Sequence, residues 1–296
     1  MSAPWLIVLA SFLFATMGVC VKLASAQYAA GEIVFYRGLT GALMMLALAR
    51  WRRGSLVTRV PAMHFWRSLT GVVSLCLWFY AIGNLPLATA MTLNYMSSVW
   101  MALFLIGGAV AMGTDRVDGR AVATVLLGFA GVALVLRPTI EQQQLWHGLM
   151  GLLSGMFAAT AYLQVSALGR IGEPEYRIVF YFSIGGVGAG ALTLLWTGMH
   201  TQTPRGIALL LAVGVLATVA QLMMTRAYST GRTLVNASLQ YLGIAYSFGY
   251  GVLLFDDRVT LPALLGMVLI AGAGLFATLL RSRNVANDPD LGPAES

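Results

Sequence analysis

Ten long apolar runs dominate the chain, and a polypeptide built this way has few ways to fold. They lie at Trp5–Leu23, Ile33–Ala49, Leu69–Gly83, Ala88–Met112, Ala121–Leu136, Gly148–Leu168, Ile178–Trp196, Ile207–Ala227, Ala237–Phe255 and Leu261–Leu280. Crossing ~30 Å of hydrocarbon takes about 20 residues of helix. In lipid the backbone must satisfy its own polar groups, which a helix does within each segment. The shorter runs are accommodated by tilt or local thinning of the bilayer. The third and fourth are separated only by Asn84-Leu85-Pro86, a tight turn between antiparallel helices, since Phe65 to Met112 is too long for one crossing. The expected fold class is all-α integral membrane, with ten transmembrane helices.

Composition excludes the main rivals. Only 10% of the 296 residues are charged, against roughly 25% in a soluble domain. The net charge of +7 first suggests nucleic acid, but the basic residues are scattered among short inter-run segments. They fit the positive-inside bias instead. With a cytoplasmic N-terminus, thirteen arginines fall inside: Arg50, Arg52, Arg53, Arg59, Arg67, Arg116, Arg120, Arg170, Arg177, Arg226, Arg232, Arg281 and Arg283. Three fall outside (Arg137, Arg205 and Arg258), and Lys22 and Arg37 are embedded. Both termini are therefore expected in the cytoplasm, with the protein in a bacterial inner membrane. Met1 to Pro4 has no basic residue, so the first run reads as a span rather than a signal peptide. Cys20 and Cys76 lie within apolar runs and read as small core residues.

The chain also repeats itself. Ile33-Val34-Phe35-Tyr36 recurs as Ile178-Val179-Phe180-Tyr181, at an offset of 145. Phe14-Ala15 recurs as Phe157-Ala158, Asn94-Tyr95 as Gln240-Tyr241, and Asp115-Arg116-Val117 as Asp257-Arg258-Val259, at offsets of 143, 146 and 142. Matches in one order at nearly one offset point to a duplication. Residues 1–140 form a first five-helix repeat, residues 141–283 a second, and 284–296 a polar, disordered cytoplasmic tail. Five is odd, so the second repeat enters the membrane from the opposite side. Inverted repeats around a central midplane cavity are a common architecture of secondary transporters.

At these residues the chain resembles the EamA-type ten-helix members of the drug/metabolite transporter superfamily over almost its whole length. The resemblance rests on Phe79 through Ala90 around the third turn, Lys22 late in span one, Arg37 early in span two, and the Gly-rich closing stretches Leu127–Val132 and Ile270–Leu275. Departures are Gly113-Thr114-Asp115 and Phe255-Asp256-Asp257 where the family often has Gly-Glu, and the absence of Pro from spans four and nine. Within the superfamily the chain is most similar to the YddG exporters of aromatic amino acids and related metabolites. The resemblance implies a cavity lined by spans one, three, four, six, eight and nine, closed by spans five and ten.

Candidate binding residues follow from polarity at depth. Asn94 and Ser98, Thr160 and Gln164, and Gln221 and Thr225 are each four apart and share a helix face; Gln240 is the repeat counterpart of Asn94. An amide in lipid costs free energy unless paired or wetted, so these residues should face the bundle interior, as interhelical hydrogen bonds or as cavity lining. The aromatics Trp78, Tyr80, Tyr95, Tyr162 and Tyr241 lie inside spans rather than in interfacial belts. They suit either packing or a flat apolar solute. Lys22 and Arg37 are placed near the outer boundary, as snorkelling cations or as a vestibule that guides a carboxylate. All eleven acidic residues and His64, His147 and His200 sit in loops, at span ends or in the tail. The usual intramembrane proton relays are thus missing, which favours facilitated diffusion or exchange. No nucleophile–base pair, metal cluster or phosphate loop supports an enzyme. The expectation is a monomeric carrier of small amphipathic metabolites, such as aromatic or hydrophobic amino acids, partnered only by solute and lipid, without nucleic acid, metal or cofactor. The runner-up is a sugar-phosphate or nucleotide-sugar carrier.

Overall fold

A computed structural model describes residues 3–111, 142–230, 239–257, 260–262 and 264–273, with scattered positions between 123 and 134. The described residues are helical with short connections. We number the helices α1 (Ala3–Ala24), α2 (Ala30–Trp51), α3 (Pro61–Asn84), α4 (Leu87–Tyr95), α5 (Ser97–Ala111), α6 (Gln142–Arg170), α7 (Glu175–Thr197), α8 (Pro204–Thr230), α9 (Leu242–Phe255) and α10 (Leu264–Ala273). Six of them (α1, α2, α3, α6, α7 and α8) are long and apolar enough to cross a membrane. Most of the fifth expected span, the first Asp-Arg-Val turn and the tail lie outside the described residues.

Two differences from the sequence reading matter for the site. The helices overrun the apolar runs at their N-terminal ends. α2 begins at Ala30 rather than Ile33, and α3 at Pro61 rather than Leu69, with Pro61 where its missing N–H costs nothing. Arg37 is therefore two turns into α2 and Arg67 nearly two turns into α3. The second difference is that the fourth span is not continuous. It breaks at Met96, between α4 and α5, with no Pro or Gly anywhere from Leu87 to Ile106.

Packing is densest between α2 and α7, α3 and α6, and α1 and α8. α9 lies on α1, and α4 and α5 on α6. Glycines set the closest approaches. A β-carbon on Gly38 would come within 2.7 Å of Ser183 O and Val187 N, so α2 and α7 cross backbone against backbone. One on Gly155 would meet Leu93 O at 2.6 Å, seating α6 against the end of α4. Gly128 and Gly131 of the fifth expected span lie against Ile270 and Ala273 of α10. This is small-residue packing, which lets helices associate where lipid supplies no hydrophobic drive.

Each end of the bundle has a polar clamp. At one end Glu32, fully buried, accepts from Gln202 Nε2 at 3.0 Å and contacts His200 Nδ1 at 2.8 Å, and the His200 backbone N–H lies 3.4 Å from it. At the other, Arg177 donates to Ser55 O from Nη2 at 2.8 Å and from Nε at 3.1 Å, and pairs with Glu173 at 2.9 Å. Glu173 also accepts from Thr58 and contacts His64 Nε2 at 3.1 Å. Burial raises the Glu173 carboxyl, but the hydrogen bonds from Arg177, Thr58 and His64 outweigh it and hold the group below its ordinary value.

Candidate functional site

The break between α4 and α5 and the chain just before α9 face one cavity. Asn94 and Tyr95 come to its wall from the end of α4, and Gln240 from the two residues that precede α9. α1, α2, α3, α6, α7 and α8 supply the rest of the described wall of this half-open cavity. Of the expected residues, Trp78, Asn94, Tyr95, Tyr162, Gln221, Gln240 and Arg37 line it. α2 and α7 contribute as well as the six spans expected, through Arg37 and Phe182.

The others are placed elsewhere. Tyr80 packs on His147, with ring centroids 5.3 Å apart. Thr160 donates to Phe157 O in its own helix, and Gln164 accepts weakly from Thr70 at 3.4 Å. Thr225 backs Gln221 at 3.4 Å, while Ser98 and Tyr241 are buried outside the wall. Asn94 is held by interhelical bonding as well as facing the cavity. Its Nδ2 donates to Ser154 Oγ at 3.0 Å, and Ser154 O accepts from Ser74 Oγ at 2.8 Å, tying α3, α4 and α6 together.

The vestibule pair does not hold together. Lys22 donates to Leu85 O at 3.0 Å, lies 3.5 Å from Asp257 Oδ1 and sits over the Phe255 ring at 5.0 Å. Asp257 Oδ2 in turn accepts from the Leu87 N–H. Lys22 is thus a neutralised tie between α1, the α3–α4 turn and the end of α9. Arg37 lies in the cavity instead, because α2 starts earlier than its apolar run.

Its companion is Arg67, a residue the sequence reading assigned to a cytoplasmic loop. Arg37 and Arg67 are 4% and 2% exposed. Their guanidinium carbons lie 4.9 and 4.3 Å from the centroid of one ring, Phe182. Arg37 Nε, Arg67 Nε and Arg67 Nη1 have no hydrogen-bond partner, and neither side chain has an ion pair among the described residues. Local sequence explains the placement. Gly38 lets α2 reach α7 and so brings Arg37 to Phe182. Gly71 leaves the space that Arg67 Nη1 occupies, since a β-carbon there would collide with it. Arg67, Gly71, Ser74 and Trp78 have spacings of four, three and four, which is one helix face. That periodicity was the available signal for Arg67, once α3 is extended by two turns.

The cation–π contacts do not compensate these charges. Each is worth up to about 2 kcal/mol when desolvated, whereas a buried charge without its partner costs about 3–5 kcal/mol. Two further wall groups are unpartnered, Trp78 Nε1 and Gln240 Oε1. The cavity therefore offers strong donors and one acceptor within an aromatic wall of Phe14, Trp78 and Phe182.

Known proteins agree with this architecture. Residues 1–137 match the EamA-like transporter family. A pseudopaline exporter of Pseudomonas aeruginosa is 34% identical over 273 residues, covering 92% of this chain and 94% of the relative. The chain belongs to the EamA-like transporter family. It is a multi-pass membrane transporter of small solutes and not an enzyme. This EamA-like transporter is also 25% identical to a riboflavin transporter of Rhizobium johnstonii, over 93% of this chain and 89% of that one. An S-adenosylmethionine uptake transporter of Rickettsia bellii is 22% identical over 83% and 82%. A solved crystal structure superposes with a TM-score of 0.68 at 18% identity, over 95% of this chain and 98% of that one, and shares its fold.

Proposed function

We propose that this transporter carries small amphipathic metabolites bearing a carboxylate, of amino-acid type, by alternating access through the central cavity. One observation carries the reading: the buried Arg37 and Arg67 guanidiniums, unpartnered among the described residues, in a cavity whose described wall holds no acidic residue. Ionisable groups at such depth mark solute pathways by default, and guanidinium matches carboxylate in geometry. Gln240 Oε1 suits an amine or hydroxyl, and Phe14, Trp78 and Phe182 suit an aromatic or hydrophobic side chain.

Two inverted halves, residues 1–140 and 141–283, would supply the alternation. Several observations support this. The α1–α8 packing has its counterpart in α6–α3, and α2–α7 is its own counterpart. The clamps correspond too: Arg177 stands 145 residues after Glu32, and His200 145 after Ser55. Each clamp joins a first-turn side chain to backbone of the other half. An inner-membrane location with both termini cytoplasmic is supported by the arginine asymmetry, which survives moving Arg67 into the membrane. Outward direction is supported by the relative named an exporter. A monomer is the proposed functional unit.

Uptake of labelled Phe, Trp, Met and a sugar phosphate by proteoliposomes, with and without a pH gradient, tests the reading. Amino-acid uptake that equilibrates regardless of the gradient is expected. Concentrative, gradient-driven uptake would overturn the passive mechanism. The arginine pair also favours a second reading, a sugar-phosphate carrier, which uptake of that solute alone would establish in place of the first.

A further inference from the structure

We infer that Arg37 and Arg67 act together as a receptor for two carboxylates, so that the preferred cargo is a dicarboxylate with an apolar body, and that Gly71 positions Arg67 for it. The inference rests on the reading of this cavity as the cargo site.

The argument is one of charge matching. Among the described residues the cavity wall contains two guanidiniums and no Asp, Glu, Lys or His. Their distances of 4.9 and 4.3 Å to one ring centroid keep them within the sum of those distances of each other. Neither is relieved by a counter-ion among the described residues. A zwitterionic amino acid brings one carboxylate and one ammonium. Its carboxylate matches one arginine, and its ammonium adds a positive charge near the other. A single carboxylate that bridges both guanidiniums still leaves one charge unmatched in a medium of low dielectric, where mismatch is expensive. Two carboxylates neutralise the wall and give each guanidinium its own pair of acceptors, in the bidentate form that guanidinium favours. Both cations pack on the Phe182 ring.

Gly71 enters through space. Arg67 Nη1 occupies the position where a side chain at residue 71 would begin, and the Phe182 ring edge stands 3.0 Å from that point. Alanine there displaces the far end of a flexible side chain rather than backbone. Gly71→Ala therefore moves the guanidinium while leaving the helix intact.

Three probes with one aromatic body test the inference: phenethylamine with no carboxylate, N-acetylphenylalanine with one, and N-malonylphenylalanine with two, the two acids both being amides without a basic nitrogen. Each is measured by thermal stabilisation of the detergent-solubilised full chain and by competition for transport in proteoliposomes. In the unmodified protein the two-carboxylate probe is expected to bind about 30-fold more tightly than the one-carboxylate probe, the scale on which a buried charge pair is lost or gained. Arg67→Gln and Arg37→Gln should each bring the two acids close to parity, and Gly71→Ala should narrow the gap by lowering only the two-carboxylate affinity. Should Arg67→Gln fail to fold, the Gly71→Ala result decides. Equal binding of the two acids, with both lost in the double Gln protein, overturns the two-carboxylate receptor and leaves a one-carboxylate site. Phenethylamine binding as well as the acids, with the Gln variants indifferent, overturns the carboxylate reading of the cavity itself.

Discussion

Lys22 and the Arg37–Arg67 pair are all cations set within apolar helices, and they have opposite fates. Lys22 has a carboxylate at 3.5 Å, a carbonyl at 3.0 Å and an aromatic ring beneath it. It holds three chain segments together, and everything it needs is within the protein. Arg37 and Arg67 share one ring, face the same cavity and have no anion among the described residues. The same physics, the cost of a charge out of water, makes one cation a structural tie and leaves the other two without an anion among the described residues. Depth in the membrane does not distinguish the roles; the presence of an internal partner does.

The comparison can be broken most sharply by removing both arginines. Arg37→Met with Arg67→Met is expected to lower transport by at least about 100-fold while leaving the melting temperature in detergent unchanged or higher, since two uncompensated buried charges are gone. A large fall in melting temperature would mean that the pair has hidden structural partners. Lys22→Met should do the reverse. It strands Asp257, and because both groups are partly exposed the loss should be about 1–2 kcal/mol, read as a melting temperature lower by a few degrees with cargo affinity unchanged. Adding Asp257→Leu should recover much of that loss; no recovery would count against the tie.

A third measurement concerns the clamp at the far end. The folded Glu173 carboxyl lies below its unfolded value, so the group stabilises the fold above its unfolded pKa. That contribution fades as pH falls through the folded value. Melting temperature should therefore drop more steeply in the unmodified protein than in Glu173→Gln as pH falls below about 4.5. Parallel curves would show the Arg177, Thr58 and His64 contacts to be incidental. The smallest effect is expected at Tyr80. Its ring packs on His147 away from the cavity, so Tyr80→Phe should leave transport within about twofold.

Much of this was legible in the sequence because lipid permits so little. Apolar runs had to be helices, and buried amides had to face inward, which found Asn94, Gln221 and Gln240 at the cavity wall. Arg67 was missed because span edges were drawn where the apolar residues stop, whereas helices continue as long as backbone hydrogen bonds can form. The break at Met96 was invisible, since neither Pro nor Gly marks it. The pairing of Lys22 with Asp257 joins residues 235 positions apart, a contact that only the packing of α9 on α1 creates. Gly71 read as one more glycine, and its purpose depends on the side chain that lies across it.

With the proposed dicarboxylate cargo, the guanidiniums would also give the transport cycle an electrical asymmetry. A carrier loaded with a dianion is close to neutral at its centre and is nearly indifferent to voltage. Once the cargo has left, the same centre is doubly positive. Each charge carried fully across 100 mV is worth about 2.3 kcal/mol, so even a partial shift of the empty cavity through the field is driven by the inside-negative potential of a respiring cell. The empty protein would then be drawn back toward the cytoplasmic side, and a carrier with no intrinsic direction would acquire a preference for export from the resting voltage alone.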